Sequence, residues 1–217
     1  MTTILNPEFF ATYLVAASIV IAAPGPDSMN TLAIGMARGR REAMAYALGV
    51  GIGCLTHTLW AVLGISAIVA ASETLFGLVK WVGVAYLLWL GIQSLRERRT
   101  LPVADDRAAR VQAPIDASTR VLQGALTNAL NPKVMLFFMA FLPQFADARL
   151  GAVGAQMLVM GLVFAVITAI AYVLLGAGAG GLGERLMQRP SIAQWLNRIT
   201  GVLFIGLALR LMLAERR

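Results

Sequence analysis

Ala22-Ala23-Pro24-Gly25-Pro26-Asp27 interrupts an apolar run at a point where helix-breaking residues are not expected. From Phe9 to Ala23 every residue except Thr12 and Ser18 is apolar, and largely apolar sequence resumes from Met29 to Ala37. Proline has no amide hydrogen and its ring crowds the preceding turn, so two prolines around a glycine break the backbone ladder. In a bilayer such a break survives only where it is buried in protein or lines a wet cavity. Asp27 follows immediately, an acid at a depth where insertion scales put the cost at about 2.5–3.5 kcal/mol. A second interruption, Asn128-Ala129-Leu130-Asn131-Pro132-Lys133, falls in the fourth apolar segment. Broken helices at matching places in two halves of a chain point to a transporter's binding site.

Composition sets the class. The 217 residues are 59% hydrophobic and 13% charged, with a mean hydropathy of +0.75. A soluble domain carries about 25% charged residues. An all-α integral membrane protein is therefore expected. The net charge is +7 and the pI near 10.5, but the charges lie between apolar segments. Retention of basic loops on the cytoplasmic side accounts for that pattern, and no nucleic-acid partner is implied. Cys54 is the single cysteine, so an internal disulfide and a two-thiol relay are both excluded. No basic stretch precedes Phe9, and the first apolar run reads as a retained span, not a cleaved signal.

Six segments are long enough to cross a core of about 30 Å at about 1.5 Å per residue. They run near 9–37, 43–71, 74–95, 121–145, 150–178 and 192–213, with the first and fourth interrupted. In the sixth, Arg198 and Arg210 must reach outward to complete the span. A five-span chain with a surface-lying last helix is the alternative. Twelve basic residues fall on one side: Arg38, Arg40, Arg41, Arg96, Arg98, Arg99, Arg107, Arg110, Arg120, Arg185, Arg189 and Arg198. Five fall on the other: Lys80, Arg149, Arg210, Arg216 and Arg217. The richer side is expected to be cytoplasmic, which places both termini outside.

Residues 96–120 form one polar linker between two sets of three spans, 1–95 and 121–217. An odd number of spans per half turns the halves opposite ways, giving two inverted three-helix repeats. Pro26 then matches Pro132, and Asp27 matches Lys133.

Asp27 lies about 15 Å from the cytoplasmic edge counted from Arg38, and Lys133 about 18 Å in from Val121. Both depths are near the midplane. The opposite charges are expected to pair with each other or to take the ammonium and carboxylate of a zwitterion. Asp27 is alternatively a cap for the resumed helix, and Asn131 before Pro132 has the pattern of an N-cap. Asn128 and Asn30 join Asp27, Asn131 and Lys133 as candidate substrate contacts, with Pro24, Gly25, Pro26 and Pro132 as the helix-breaking residues.

His57, the only histidine, is either a proton-coupling group or a neutral interhelical hydrogen-bonding residue. One histidine and one cysteine are too few ligands for an expected metal site. Gly49-Val50-Gly51-Ile52-Gly53 and the Gly176–Gly181 stretch read as close-packing faces. Trp81, Tyr86, Trp89 and Trp195 read as interfacial anchors or packing. No nucleophile–base array, P-loop or dinucleotide fingerprint appears, and neither catalysis nor a cofactor is expected.

These residues resemble the LysE/RhtB family, bacterial exporters of lysine, homoserine, threonine and related amino acids. The resemblance runs through APGPD at Ala23–Asp27, ARGRREAMAYALGVGIG at Ala37–Gly53 and AYLLWL with Gly91. It continues in GALTNALNPK at Gly124–Lys133 and FLPQF at Phe141–Phe145. It implies a carrier in the bacterial inner membrane that exports small amino acids and is driven by the proton gradient. Expected partners are the amino acid, protons and membrane lipid, with a homodimer left open. A metal- or inorganic-ion carrier is the alternative. A redox relay is disfavoured by the lone cysteine, and a purely structural role leaves Asp27 and Lys133 unexplained.

Overall fold

The structure, a computed structural model, describes residues 4–65, 73–96, 115–181 and 190–213. Every regular element among them is helical. Helix α1 (Pro7–Ala22) begins where Asn6 accepts a hydrogen bond from the Glu8 amide at 3.1 Å. Proline at the start costs nothing there, because the first amides of a helix have no partner within it. Helix α2 (Pro26–Arg38) follows the first break at an angle of 49°. Helix α3 (Arg40–Trp60) runs on through a π-helical turn, Ala61–Ile65. Helix α4 (Glu73–Arg96) closes the first half of the chain.

A second bent pair follows. Asp116 accepts from the Ser118 amide at 3.2 Å and starts α5 (Ala117–Ala129). Helix α6 (Pro132–Ala140), extended by a 3-10 turn to Phe145, leaves α5 at 53°. Helix α7 (Val153–Ala177) and α8 (Pro190–Leu213) complete the order. Two helical stretches, Arg40–Gly64 and Val153–Ala177, are long and apolar enough to cross a membrane, and each bent pair adds one more if read as a single span. The chain is a multi-pass helical membrane protein. Most of the polar linker expected at 96–120, the end of the second segment at 66–71, Arg185 and Arg189, and Arg216 and Arg217 lie outside the described residues.

Helix α3 is central, packed against α5, α7 and α2. Small residues permit this. A Cβ added at Gly49 would come within 1.9 Å of the Val121 carbonyl oxygen, and one at Gly124 within 2.0 Å of the Tyr46 carbonyl oxygen. Backbone meets backbone on both sides of the α3–α5 seam, where no larger residue fits. Helices α4 and α8 lie together in the same way. A Cβ at Gly91 would sit 2.9 Å from the Gly201 oxygen, and one at Gly201 would sit 2.8 Å from the Gly91 oxygen.

Phe137, Phe138 and Phe164 fill the core below the second break, with the Phe138 and Phe164 rings edge to face at 5.0 Å. Leu59, Trp60, Leu130 and Leu174 point outward, the apolar exterior that a bilayer covers.

Polar side chains tie the two ends of the bundle. At one end Arg120 donates to Glu42 and, at 2.7 Å, to Gln123, joining α3 to α5. At the other, Asn6 donates to Asp147 at 2.9 Å. Gln156, fully buried, donates to the Asp147 and Gly151 carbonyls and accepts from the Asp147 amide. Hydrogen bonds from Arg149, and then from Asn6, hold the Asp147 carboxyl well below the usual carboxylate range.

Candidate functional site

The two breaks face each other, and their geometry follows from hydrogens that proline lacks. In an α-helix the amide of residue i bonds the carbonyl of residue i−4. Pro24 has no hydrogen for Val20, and Pro132 has none for Asn128. Lys133 takes the first vacancy: its Nζ donates to the Val20 carbonyl at 3.1 Å and to the Ala23 carbonyl at 2.9 Å. At the second, the Asn128 carbonyl accepts from His57 Nε2 at 2.8 Å and from the Asn131 amide at 2.8 Å. A carbonyl only accepts, so Nε2 of His57 carries the hydrogen. Tyr172 donates its hydroxyl to the Ile21 carbonyl at 3.0 Å, covering one more group at the end of α1.

Gly25 makes the lysine's position possible. Its backbone is extended, with φ −173°, a conformation open to any residue. The constraint is space, since a Cβ there would lie 2.9 Å from Lys133 Nζ. The Gly25 amide donates to Ser28 Oγ at 3.0 Å, and the Ser28 hydroxyl returns a bond to the Gly25 carbonyl at 3.1 Å. Ser28, not Asp27, is therefore the side chain that secures the resumed helix.

Asp27 is turned inward and is 1% exposed. Its Oδ2 accepts from Asn128 Nδ2 and from Asn131 Nδ2, both at 2.8 Å. Only the amide end of an asparagine can face a carboxylate, so the orientation of both side chains is fixed by Asp27. Asn131 also accepts the Lys133 amide at 3.0 Å, capping α6 as its sequence predicts and bonding Asp27 at once. The expected direct pairing of Asp27 with Lys133 is absent. The carboxylate is held by asparagine amides and the ammonium by main-chain carbonyls, with Asn131 touching both residues. Proline explains the difference, because the carbonyls it strands compete for the ammonium.

Asp27, Asn128, Asn131, Lys133 and His57 are thus brought together, all of them buried. Asn30 is not; it is exposed and donates to the Tyr46 hydroxyl at 3.1 Å. Sequence reasoning missed Tyr172, whose membrane-depth hydroxyl was the available signal, and Ser28, one residue after the acid. It also missed the Glu42–Arg120 pair, because Arg120 reads as one loop charge among many.

Three buried oxygens near this centre make no hydrogen bond of ordinary geometry: Asp27 Oδ1, Asn128 Oδ1 and the Thr168 hydroxyl, the side chains of the last two lying near the Cys54 thiol. Buried polar atoms left unpaired are costly and mark places where a ligand would complete the bonding. Two of the three accept only, so the arrangement favours a ligand that donates. Among the described residues no group of three or more His, Cys, Asp or Glu side chains is placed to hold a metal ion.

The profile of the family described as LysE type translocator matches residues 18–215, which includes both breaks and every residue of this centre. The chain belongs to the LysE type translocator family. It is 34% identical over 211 residues to an uncharacterized membrane protein of Vibrio cholerae, covering 97% of this chain and 100% of that one. It is 30% identical to a leucine efflux protein of Klebsiella pneumoniae, with 93% of each chain covered. A leucine efflux protein of Enterobacter is 28% identical over 93% of this chain and 94% of its own. No solved structure matches.

Proposed function

We propose that this LysE type translocator exports amino acids across the bacterial cytoplasmic membrane by proton antiport. The observation that carries the reading is the unpaired Oδ1 of Asp27, a buried carboxylate oxygen to which no donor is bonded. An α-ammonium group supplies three donors and a compensating charge. Asn128 Oδ1 offers it a second acceptor. Lys133 has two hydrogen bonds to carbonyls and one N–H left over, directed to the substrate carboxylate in this reading. His57, bonded to the same strand of backbone, is the proton-coupling group.

The carrier consists of six spans in two inverted repeats, 1–95 and 121–217, joined by a cytoplasmic linker, with both termini outside. Reciprocal glycine contacts of α3 with α5, and of α4 with α8, support that arrangement. So do the end locks: Glu42 meets Arg120 at the side expected to be cytoplasmic, and Asn6 meets Asp147 at the other. Access alternates as the two bent pairs move against each other about the fixed centre.

Relatives bearing the name leucine efflux protein make leucine the first cargo to test. Cells with and without the protein are fed dipeptides, and the amino acids appearing outside are profiled. Export of one or more amino acids that depends on the protein and is lost in Asp27→Asn is expected. Identical profiles with and without the protein would remove the reading.

A further inference from the structure

The end of α1 is a cation site, and the protein fills it with its own side chain. Pro24 leaves the Val20 carbonyl without a donor, and the chain turns so that the Ala23 carbonyl faces the same point. Both lie at the negative end of the α1 dipole, inside the bundle, where a positive charge is favoured. Among the described residues no carboxylate forms an ion pair with Lys133, although the Asp27 charge acts on it from nearby; its ammonium rests on these two oxygens and passes beneath a glycine that leaves it space. Carbonyls at the end of an interrupted helix are the ligands with which carriers hold small coupling cations.

We propose that the Val20 and Ala23 carbonyls form a site for a small monovalent cation, sodium or a primary ammonium, and that Lys133 occupies it as a tethered cation. The wild-type protein therefore has no use for a free ion at this point. Truncating the lysine vacates the site without changing the carbonyls.

The test uses the purified full-length protein in detergent with no amino acid present, so its outcome is independent of the export reading. Thermal midpoints of wild type and Lys133→Ala are measured in chlorides of sodium, potassium, methylammonium and N-methyl-D-glucamine at equal ionic strength. Lys133→Ala is expected to melt lower in N-methyl-D-glucamine. It is expected to recover by about 3–6 °C when sodium or methylammonium stands at ten times its Kd. Wild type is expected to be the same in all four. A Lys133→Ala midpoint that moves no more than wild type in any of the salts overturns the proposal. If Lys133→Ala does not survive purification, Lys133→Gln decides. Glutamine donates hydrogen bonds to carbonyls but brings no charge. A midpoint well below wild type supports a cation site, and a wild-type midpoint overturns it.

Discussion

Lys133 donates to the Val20 carbonyl, at 3.1 Å, the hydrogen bond that Pro24 cannot give. His57 does the same for Pro132 at the Asn128 carbonyl, at 2.8 Å. The two residues that look most like chemistry in this sequence thus have a structural task in common, repairing the opposite half's broken helix. Satisfying these carbonyls matters more in lipid than in water, because the bilayer core offers no donors of its own. The centre is consequently a brace as well as a candidate cargo site, and substitutions within it move stability and transport together unless chosen to separate them.

The first separation concerns Gly25. Alanine fits the extended backbone but places a Cβ 2.9 Å from Lys133 Nζ, so the end of the lysine side chain must shift against its two carbonyls. Gly25→Ala is expected to lose about 1.5–3 kcal/mol of stability, the worth of hydrogen bonds to a charged group. Gly77→Ala is the control, since nothing lies within 4 Å of its added Cβ. Thermal midpoints of both purified variants check this; equal midpoints would show that Lys133 shifts without cost.

Much of this was legible in the sequence because proline and glycine act locally. The two breaks, the cap at Asn131 and the approximate helix boundaries follow from residue types and spacing alone. The partners of the charges do not. Pairing Asp27 with Lys133 is what charge predicts, and only the fold reveals that stranded carbonyls and two asparagines come between them. Asn30 reads like Asn128 on paper, yet it is exposed and bonds the Tyr46 hydroxyl instead of Asp27. The Glu42–Arg120 tie joins residues from opposite halves, a relation that no local pattern encodes.

His57→Gln tests coupling. Glutamine keeps a donor for the Asn128 carbonyl but cannot titrate, whereas an unperturbed imidazole does so near pH 6.5. Efflux from vesicles loaded with leucine is expected to lose its dependence on pH, with the protein still present in the membrane. An unchanged pH profile assigns His57 to the brace alone.

Topology is checked by reporter fusions at Asp105 and at the C-terminus. The twelve-to-five distribution of basic residues predicts opposite sides, with Asp105 cytoplasmic. Two cytoplasmic reports would mean an even number of spans between the two points instead of three, and would point to α8 as the helix that lies on the surface.

The sharpest separation is between Asp27 and its neighbour Ser28. Capping of α2 belongs to Ser28, through its bonds to the Gly25 amide and carbonyl. Ser28→Ala is expected to cost about 0.5–2 kcal/mol of stability and to leave export by the folded protein largely intact. Asp27→Asn has the opposite profile. Asparagine is as good a cap as aspartate, so a capping role predicts a mild effect. The proposed cargo role predicts a severe one. Both amides bond the same oxygen, Oδ2, so an asparagine keeps them only as the weaker bonds of a neutral acceptor and turns its own NH2 to the Oδ1 position. It also removes the charge that would hold an ammonium at Oδ1. Export by Asp27→Asn in vesicles is expected to fall by about 10- to 100-fold, the range set by losing one hydrogen bond to a charged group. Near-normal export by Asp27→Asn, with Ser28→Ala inactive, would reverse the assignment and leave the carboxylate no part in transport.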